Sequence, residues 1–416
     1  MSSREEQRLQ EQLMNRLDPG RDLSDNEVHE TIDSLLVEES RTTYIPLAKR
    51  RELHEMLFNS VRRLDLLQEL LEDDAVTEIM VNGMEGIFYE KEGYLQRWDR
   101  TFSSREKLQD IVQQIVSACN RKANESEAIV DARLAGGARV NIVMAPIAID
   151  GPVITIRRFP DHPIRMEQLI AWNSISAEAA DFLKQLVRAG YNIFISGGTG
   201  SGKTTFLNAL SDFIPKDERI ITIEDNAELQ LQGIDNLVRL ESRRKDNSGK
   251  HEITIRDLIR TSLRMRPNRI IVGEVRGPEI VDLISGALNT GHDGSLSTGH
   301  GNNPRDMLTR LETMYAMGME IPLSAIRRQI ASGIDIMVHL GRLRDKSRKV
   351  LEILEIDGYR YDTGEILTHP LFEFQETGEK NGLVDGKLVP VGSLKNRTKL
   401  KMAGVSLAEE EEESAH

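Results

Sequence analysis

One short stretch of the sequence is suited to holding phosphate groups. It fits the pattern G-x-x-x-x-G-K-[ST] and lies between a predicted strand and a predicted helix. Glycines let backbone N–H groups turn inward around phosphates, and the following helix presents its positive end to the anion. Lys203 is expected to reach the β- and γ-phosphates of ATP and Thr204 to hold Mg²⁺. The alternative is an ordinary glycine-rich turn. The predicted cofactor-binding residues are Gly197, Gly198, Thr199, Gly200, Ser201, Gly202, Lys203, Thr204 and Thr205.

Hydrolysis of a bound nucleotide also needs carboxylates that hold magnesium and orient water. Glu224 and Asp225 follow the apolar run IITI, and Glu274 follows IIV after Gly273. Because parallel strands end at one edge of a sheet, these three carboxylates are expected to face the phosphates and, with Thr204, to serve the metal. In nucleotide-binding sites an aspartate normally follows an apolar run such as IIV, but in this sequence Gly273 occupies that position. The alternative is a set of solvated carboxylates at strand ends.

Two histidines, His292 and His300, flank the segment TGHDGSLSTGH. As zinc ligands they would need further partners, and only Asp293 is near in sequence. A neutral histidine that donates to a γ-phosphate or to water fits the setting better, and a hydrogen-bonded turn histidine is the alternative.

Arginines recur every four residues on a predicted helix and form a basic stripe along one face of it. No aromatic residues interleave with it, which favours a subunit interface with phosphate-sensing arginines over a nucleic-acid surface. A plain solvated face is the third interpretation. The stripe consists of Arg256, Arg260 and Arg264, with Arg266 and Arg269 beyond it and Arg243, Arg244 and Lys245 before it.

The order of predicted elements divides the chain into parts of different character. Amphipathic helices occupy residues 1–63, where Ser24 and Glu27 form a candidate capping box. Strands mixed with one helix predict an α+β domain over 64–159, and Ser103 with Glu106 is a second candidate capping box. The remaining parts are a linker at 160–175, an α/β domain with alternating strands and helices at 176–374, and a flexible polar and acidic tail at 375–416 that contains the block Glu409–Glu413.

Composition limits the class of protein. Of 416 residues, 39% are hydrophobic and 29% are charged, and there is no apolar run long enough to span a bilayer. The amino terminus lacks the features of a signal peptide, so we expect a cytoplasmic protein. Cys119 is the only cysteine, which excludes intramolecular disulfides. The net charge of −13 argues against a nucleic-acid coat.

Four stretches together resemble the type II/IV secretion ATPase superfamily: GGTGSGKTT, TIEDNAEL, RMRPNRIIVGEVRG and TGHDGSLSTGH. They correspond to the Walker A, Asp box, Walker B and His box motifs of that superfamily. The segments EIMVNG, DARLAGGARVNIV and GPVITIRRF resemble those of the Flp, or tight-adherence, pilus assembly branch (CpaF-like). The resemblance extends from about Leu64 to Phe374.

The resemblance implies a fold and an assembly. A RecA-like P-loop ATPase domain of the α/β class would follow an α+β PAS-like domain and a short helical extension. Members form homo-hexameric rings with ATP and Mg²⁺ between the two domains. They work at the cytoplasmic face of the membrane as peripheral proteins and drive inner-membrane platform proteins of a pilus or secretion system.

Residue roles also follow from the resemblance. Glu224 matches the acidic residue of the Asp box, and Glu274 matches the glutamate that polarises the attacking water. His300 matches the His-box residue near the γ-phosphate. Arg139, together with Arg157 or Arg158, matches arginines of the amino-terminal domain that reach the γ-phosphate.

Other functions remain open at this point. A DNA-uptake or conjugation-type traffic ATPase would differ from a secretion motor only in its partner. A RecA-like nucleic-acid motor and a nucleotide-gated scaffold without turnover are further alternatives. The acidic net charge means that no nucleic-acid partner is expected, and two acidic strand ends argue against the scaffold.

Overall fold

The computed structural model describes residues 3–17, 23–91, 93–119, 121–134, 136–158, 163–243 and 252–407. The chain divides into two compact units, residues 1–161 and 162–416. Arg244 and Lys245 of the basic stripe and the block Glu409–Glu413 lie outside the described residues.

The first unit begins with three helices, α1 (Ser3–Arg16), α2 (Asp25–Thr42) and α3 (Leu47–Arg62). The predicted capping box at the start of α2 is confirmed, because the Ser24 hydroxyl accepts from the Glu27 backbone and the Glu27 carboxylate accepts from the Ser24 N–H. Residues spaced three or four apart form the shared core. This core contains Leu9, Leu13, Val28, Ile32, Leu35, Leu36, Leu53 and Leu57.

A six-stranded antiparallel sheet forms the rest of the first unit, in the order β3-β2-β1-β6-β5-β4. The α+β character predicted here is present, although β4 was not predicted as a separate strand. Helix α5 is capped by Ser104, not by the predicted Ser103, because the Ser104 hydroxyl accepts from the Lys107 N–H. The elements are α4 (Leu67–Glu72), β1 (Val76–Asn82), β2 (Gly86–Lys91), β3 (Tyr94–Arg97), α5 (Arg105–Ala118), β4 (Ile129–Arg133), β5 (Arg139–Val143) and β6 (Val153–Arg157).

The second unit is built on a nine-stranded sheet in the order β15-β14-β13-β12-β7-β11-β10-β8-β9. Its first part alternates strands and helices. The elements are α6 (Met166–Ala171), α7 (Ala177–Arg188), β7 (Ile193–Gly197), α8 (Lys203–Ser211), β8 (Ile220–Glu224), β9 (Leu237–Glu241), α9 (Ile255–Ser262), β10 (Arg269–Val272), a π-helical segment (Asp282–Leu288), β11 (Leu296–His300), α10 (Pro304–Gly318), α11 (Leu323–Gly333) and β12 (Ile336–Arg342).

The strands from β12 to β9 in that order pair in parallel. Every residue of β7, β8 and β10 is buried, as expected of parallel strands covered on both faces. Their carboxyl ends meet at one edge, so the α/β prediction for this region is confirmed. Among the described residues, no helix is long and apolar enough to cross a membrane.

Two predicted boundaries differ from the structure. The predicted linker contains α6, whose Met166 and Leu169 are buried in the core of the second unit. After β12 the sheet continues through three antiparallel strands and a last helix, β13 (Arg348–Arg360), β14 (Glu365–Lys380), β15 (Leu383–Pro390) and α12 (Thr398–Ala403). The predicted flexible tail is wrong as far as Leu407, because the end of β14 and all of β15 and α12 lie within it.

Buried polar contacts explain why this last segment is ordered. The carboxylate of Glu355, itself buried, accepts from the backbone N–H groups of Lys395 and Asn396 at 2.8 and 2.7 Å. Lys399 pairs with Asp293 and Asp335, both at 2.7 Å. Four leucines of the segment are also buried, namely Leu388, Leu394, Leu400 and Leu407.

Candidate functional site

A glycine-rich loop joins β7 to α8, as the sequence predicts. Gly200 and Gly202 have φ values of +70° and +92°, which side chains disfavour. A Cβ on Gly197 would lie 2.5 Å from the Leu340 carbonyl oxygen, so this position has no room for one. Backbone conformation and the neighbouring strand β12 therefore both require glycine in this loop.

Lys203, at the start of α8, lies buried inside the loop. Its ammonium donates to the carbonyl oxygens of Gly197 and Gly198 at 3.1 and 2.9 Å and lies 3.2 Å from His300 Nδ1. Thr204 and Thr205 follow in the first turn of the helix and are partly exposed. The loop and the helix amino terminus thus bring together a cation and backbone donors, the groups that bind polyphosphate.

Glu224 ends β8 with its carboxylate almost fully buried. One oxygen, Oε2, accepts from the N–H groups of Glu228 and Leu229 at 2.8 and 2.9 Å. The other, Oε1, has no hydrogen-bond partner in the described part of the chain. Burial raises the pKa of Glu224 to about 7, against the lowering effect of the two backbone donors. A buried acceptor of this kind fits a ligand that donates, such as water bound to magnesium.

Gly273 lies directly against Glu224. A Cβ at residue 273 would be 2.9 Å from Cγ of Glu224 and 3.3 Å from its Oε2. Real Cβ atoms do not approach so closely, so the space that an aspartate at 273 would need is filled by the glutamate of the neighbouring strand β8. The glycine that seemed out of place in the sequence is required by this packing.

Glu274 and His300 lie together at the ends of β10 and β11. His300 Nε2 is 2.8 Å from Glu274 Oε1, close but outside hydrogen-bond geometry, and Arg276 donates to Glu274 Oε2 at 2.6 Å. Burial lowers the pKa of His300, with Lys203, Arg276 and Arg310 adding to the effect and Glu274 opposing it. His300 is therefore neutral at pH 7, with Nδ1 accepting from Lys203 and its proton on Nε2, toward Glu274.

Asp225, predicted as a metal residue, is exposed and accepts from the Ser242 hydroxyl at 2.9 Å. The structure gives no support to its metal role. Within the described ranges, no cluster of three or more His, Cys, Asp or Glu side chains could hold a metal ion by itself. Mg²⁺ in nucleotide sites binds through one or two protein oxygens plus phosphates and waters, and the Thr204 hydroxyl with the Glu224 carboxylate fits that requirement.

The arginines predicted in the first unit differ from one another. Arg139 and Arg157 are paired neighbours on β5 and β6, and Arg157 is half-exposed beside Glu78. Arg158 is mostly buried and donates to the carbonyl oxygens of Asp73 and Val76. Its guanidinium is thus engaged within the unit, whereas that of Arg157 is half-exposed.

The basic stripe is largely engaged inside the second unit. Arg256 and Arg260 both pair with Asp282, Arg260 at 2.7 Å. Arg269 is buried and forms a two-pronged pair with Glu218. These three guanidinium groups are paired within the unit, which weakens the prediction of a subunit interface here. His292 lies 3.4 Å from the Thr290 hydroxyl, as a turn histidine would.

Sequence reasoning missed His339, a buried histidine of β12. Its Nδ1 lies 2.9 Å from the hydroxyl of Ser196, the residue before the glycine-rich loop. Burial lowers its pKa, against a hydrogen bond to the backbone of Asn302. It thus joins the base of the loop to the segment after His300. A lone histidine in an apolar strand carries no sequence signal for this.

The fold and the site define a class of protein: an α/β sheet with a phosphate loop after one strand and acidic residues at the ends of its neighbours. Residues 62–375 match the family model described as type II/IV secretion system protein, and the chain belongs to that family.

Relatives carry names from transfer and secretion systems. A putative conjugal transfer protein of Mycobacterium tuberculosis is 34% identical over 294 residues, covering 69% of this chain and 83% of the relative. The conjugal transfer protein TrbB of Rhizobium radiobacter is 32% identical over 302 residues, covering 71% and 88%. The type IV secretion system protein PtlH of Bordetella pertussis is 32% identical over 321 residues, covering 71% and 94%.

Solved structures share the fold. The ATPase DotB of Legionella pneumophila superposes with a TM-score of 0.51 at 23% identity, covering 71% of this chain and 80% of that one. The pilus retraction motor PilT with bound ADP superposes with a TM-score of 0.51 at 18% identity, covering 84% of this chain and 88% of that one.

Proposed function

We propose that this protein is an ATP-hydrolysing motor of a secretion or pilus assembly system. The observation that carries the proposal is the grouping of Lys203, His300 and Glu274 beside the buried Glu224. A cation that binds phosphate and carboxylates that hold magnesium and orient water are groups that phosphoryl transfer to water uses, and a neutral imidazole can donate to the phosphate or to the water. Membership of the type II/IV secretion family supports the coupling to transport.

Each side chain has a distinct task in this proposal. Lys203 and the loop N–H groups bind the β- and γ-phosphates, and Mg²⁺, held through Thr204 and Glu224, would neutralise charge that develops on them. Glu274 accepts a hydrogen bond from the attacking water and aligns it. His300, neutral with its proton on Nε2, donates to the γ-phosphate or to that water and hydrogen-bonds Lys203 through Nδ1.

The assembly is part of the proposal. The protein acts as a homo-hexamer at the cytoplasmic face of the membrane and drives inner-membrane platform proteins, as in the Flp pilus branch. Arg139 and Arg157 act as sensors of the γ-phosphate. A guanidinium that binds only while this phosphate is present makes the state of the protein depend on the nucleotide.

A second candidate is a conjugation-type traffic ATPase, favoured by relatives named as conjugal transfer proteins. The net charge of −13 favours protein partners over DNA.

One set of assays tests both. Phosphate release by the full chain in Mg²⁺-ATP is measured alone, with anionic lipid vesicles, and with single-stranded DNA. Hydrolysis that Lys203→Ala removes, stimulated by vesicles or by a co-expressed platform protein, supports the motor. Absence of hydrolysis in every condition contradicts it. Several-fold stimulation by DNA alone favours the traffic ATPase.

A further inference from the structure

The β12–β13 hairpin lies beside the glycine-rich loop. Strand β12 pairs in parallel with β7 so that Leu340 stands opposite Gly197. Arg342 and Arg348 form the last residue pair of the hairpin, on either side of its turn. Two exposed cations thus stand next to the predicted phosphate site, on a segment that carries none of its motifs.

Arg348 contacts the loop directly. Its Nε donates to the Gly200 carbonyl oxygen at 2.8 Å, and its Cδ is 3.5 Å from the position of a Cβ on Gly202. Arg342 Nη1 is 3.7 Å from the corresponding position on Gly200. The two positive-φ glycines of the loop therefore lie against arginine side chains.

The hairpin that presents these arginines is held in place. Asp345 in its turn accepts from the Ser347 N–H at 2.9 Å and, through its other oxygen, from the Val384 N–H of β15 at 2.7 Å. The Leu343 N–H closes the turn on the Ser347 carbonyl oxygen at 2.8 Å. Arg348 consequently projects from a fixed strand.

We propose that Arg348 is a positioning residue of the nucleotide site, an inference that rests on the proposed ATP function. The Gly200–Ser201 peptide is planar, so fixing its carbonyl oxygen also fixes the direction of the Ser201 N–H. Glycines give the loop many conformations to lose on binding, and a charge-assisted bond that restrains it reduces this cost. Arg342 adds positive charge that attracts a polyphosphate. Arg348 thus supports nucleotide affinity more than the chemical step.

The test is the Kd for a fluorescent N-methylanthraniloyl ADP in Mg²⁺ buffer, with the full chain. Arg348→Ala is expected to raise the Kd about tenfold. Arg348→Lys keeps a charged donor, so its Kd should lie between those of wild type and Arg348→Ala. The matched control is Arg344→Ala, because Arg344 lies on the same hairpin but pairs with Glu376. It should bind as wild type. At saturating ATP, kcat of Arg348→Ala should stay within about twofold while KM rises.

Three results would count against the proposal. If wild type binds the probe and Arg348→Ala binds it equally well, the inference is overturned and the proposed function stands. Equal weakening in Arg348→Ala and Arg344→Ala, with matching losses of Tm, also overturns it, because it would report hairpin stability. If wild type does not bind the probe, the proposed function falls and the inference falls with it.

Discussion

The end of β10 accommodates Glu224 only because residue 273 has no side chain. A Cβ on Gly273 would lie 2.9 Å from Glu224 Cγ. The acidic group that normally follows such a strand is thus supplied by the neighbouring strand β8, and its Oε1, which has no hydrogen-bond partner among the described residues, is available for a ligand. Glu274, one residue beyond the glycine, instead lies beside Arg276 and His300.

Substitution of Gly273 should therefore damage the site without touching any catalytic atom. Gly273→Ala is expected to displace the Glu224 carboxylate and to lower kcat by on the order of tenfold to a hundredfold, the effect of a misplaced catalytic group. Steady-state phosphate release measures it, with Tm recorded alongside.

Gly286→Ala is the matched control, because a Cβ there would meet only the Leu263 methyl group at 3.4 Å, an ordinary contact. Wild-type activity in Gly273→Ala would show that Glu224 does not need its present position.

Glu224 should make stability depend on pH in metal-free buffer. Its pKa is raised to about 7 from an ordinary 4.5 by burial, so the folded protein holds this proton more tightly than the unfolded chain. The protonated carboxyl therefore contributes to the stability of the folded state, fully below about pH 4.5, and this contribution is lost as pH rises through about 7. Glu224→Gln removes the titration. The free energy of unfolding of the variant, taken relative to that of wild type, should therefore rise by roughly 2 to 3 kcal/mol from pH 5 to pH 8.

Urea unfolding of both proteins across this pH range gives the comparison. A difference in free energy of unfolding that stays constant with pH would mean that the carboxyl does not titrate with a raised pKa.

The His300 ring should titrate below the ordinary histidine pKa of 6.5. Glu274 opposes this lowering, so Glu274→Gln should reduce the pKa further, and Lys203→Met should raise it. Histidine ring NMR signals followed against pH report these shifts, with His300→Asn to assign the resonance. A pKa that rises in Glu274→Gln would contradict the arrangement of charges described here.

Arg157 and Arg158 should separate structural from functional roles. Arg158→Ala removes a buried guanidinium that donates to the carbonyl groups of Asp73 and Val76, and among the described residues only the Val76 N–H then remains on the Asp73 oxygen, so it should lower the Tm of the protein. Arg157→Ala removes a half-exposed side chain and should leave Tm unchanged while it reduces ATP hydrolysis. The opposite pattern would assign the nucleotide-linked role to Arg158.

Sequence patterns predicted those parts of the site that are contiguous in the chain. Lys203 lies in a motif that encodes its own strand, loop and helix, and Glu224 and Glu274 follow apolar runs whose ends must share a sheet edge. The packing of Gly273 on Glu224 was not predictable, because it depends on the distance between neighbouring strands. Arg348 meets Gly200 across 148 residues and carries no motif.

For a related reason, the sequence after Phe374 predicts a tail where the structure has a strand and a helix. Glycine, lysine and glutamate dominate its composition, and its order comes from distant partners such as the buried Glu355. In the first unit, Arg157 and Arg158 are adjacent in sequence, and only the structure shows that Arg158 is engaged by backbone carbonyl oxygens.

The central claim is that Glu274 serves the attacking water while Glu224 serves magnesium. Single-turnover ATP hydrolysis against Mg²⁺ concentration tests it most directly, in wild type, Glu274→Gln and Glu224→Gln. Glu274→Gln should bind ATP but hydrolyse it at least about 10²-fold more slowly at every Mg²⁺ concentration. Glu224→Gln should recover much of its rate as Mg²⁺ is raised. A wild-type rate in Glu274→Gln, or recovery by Mg²⁺ in that variant and not in Glu224→Gln, would contradict the account.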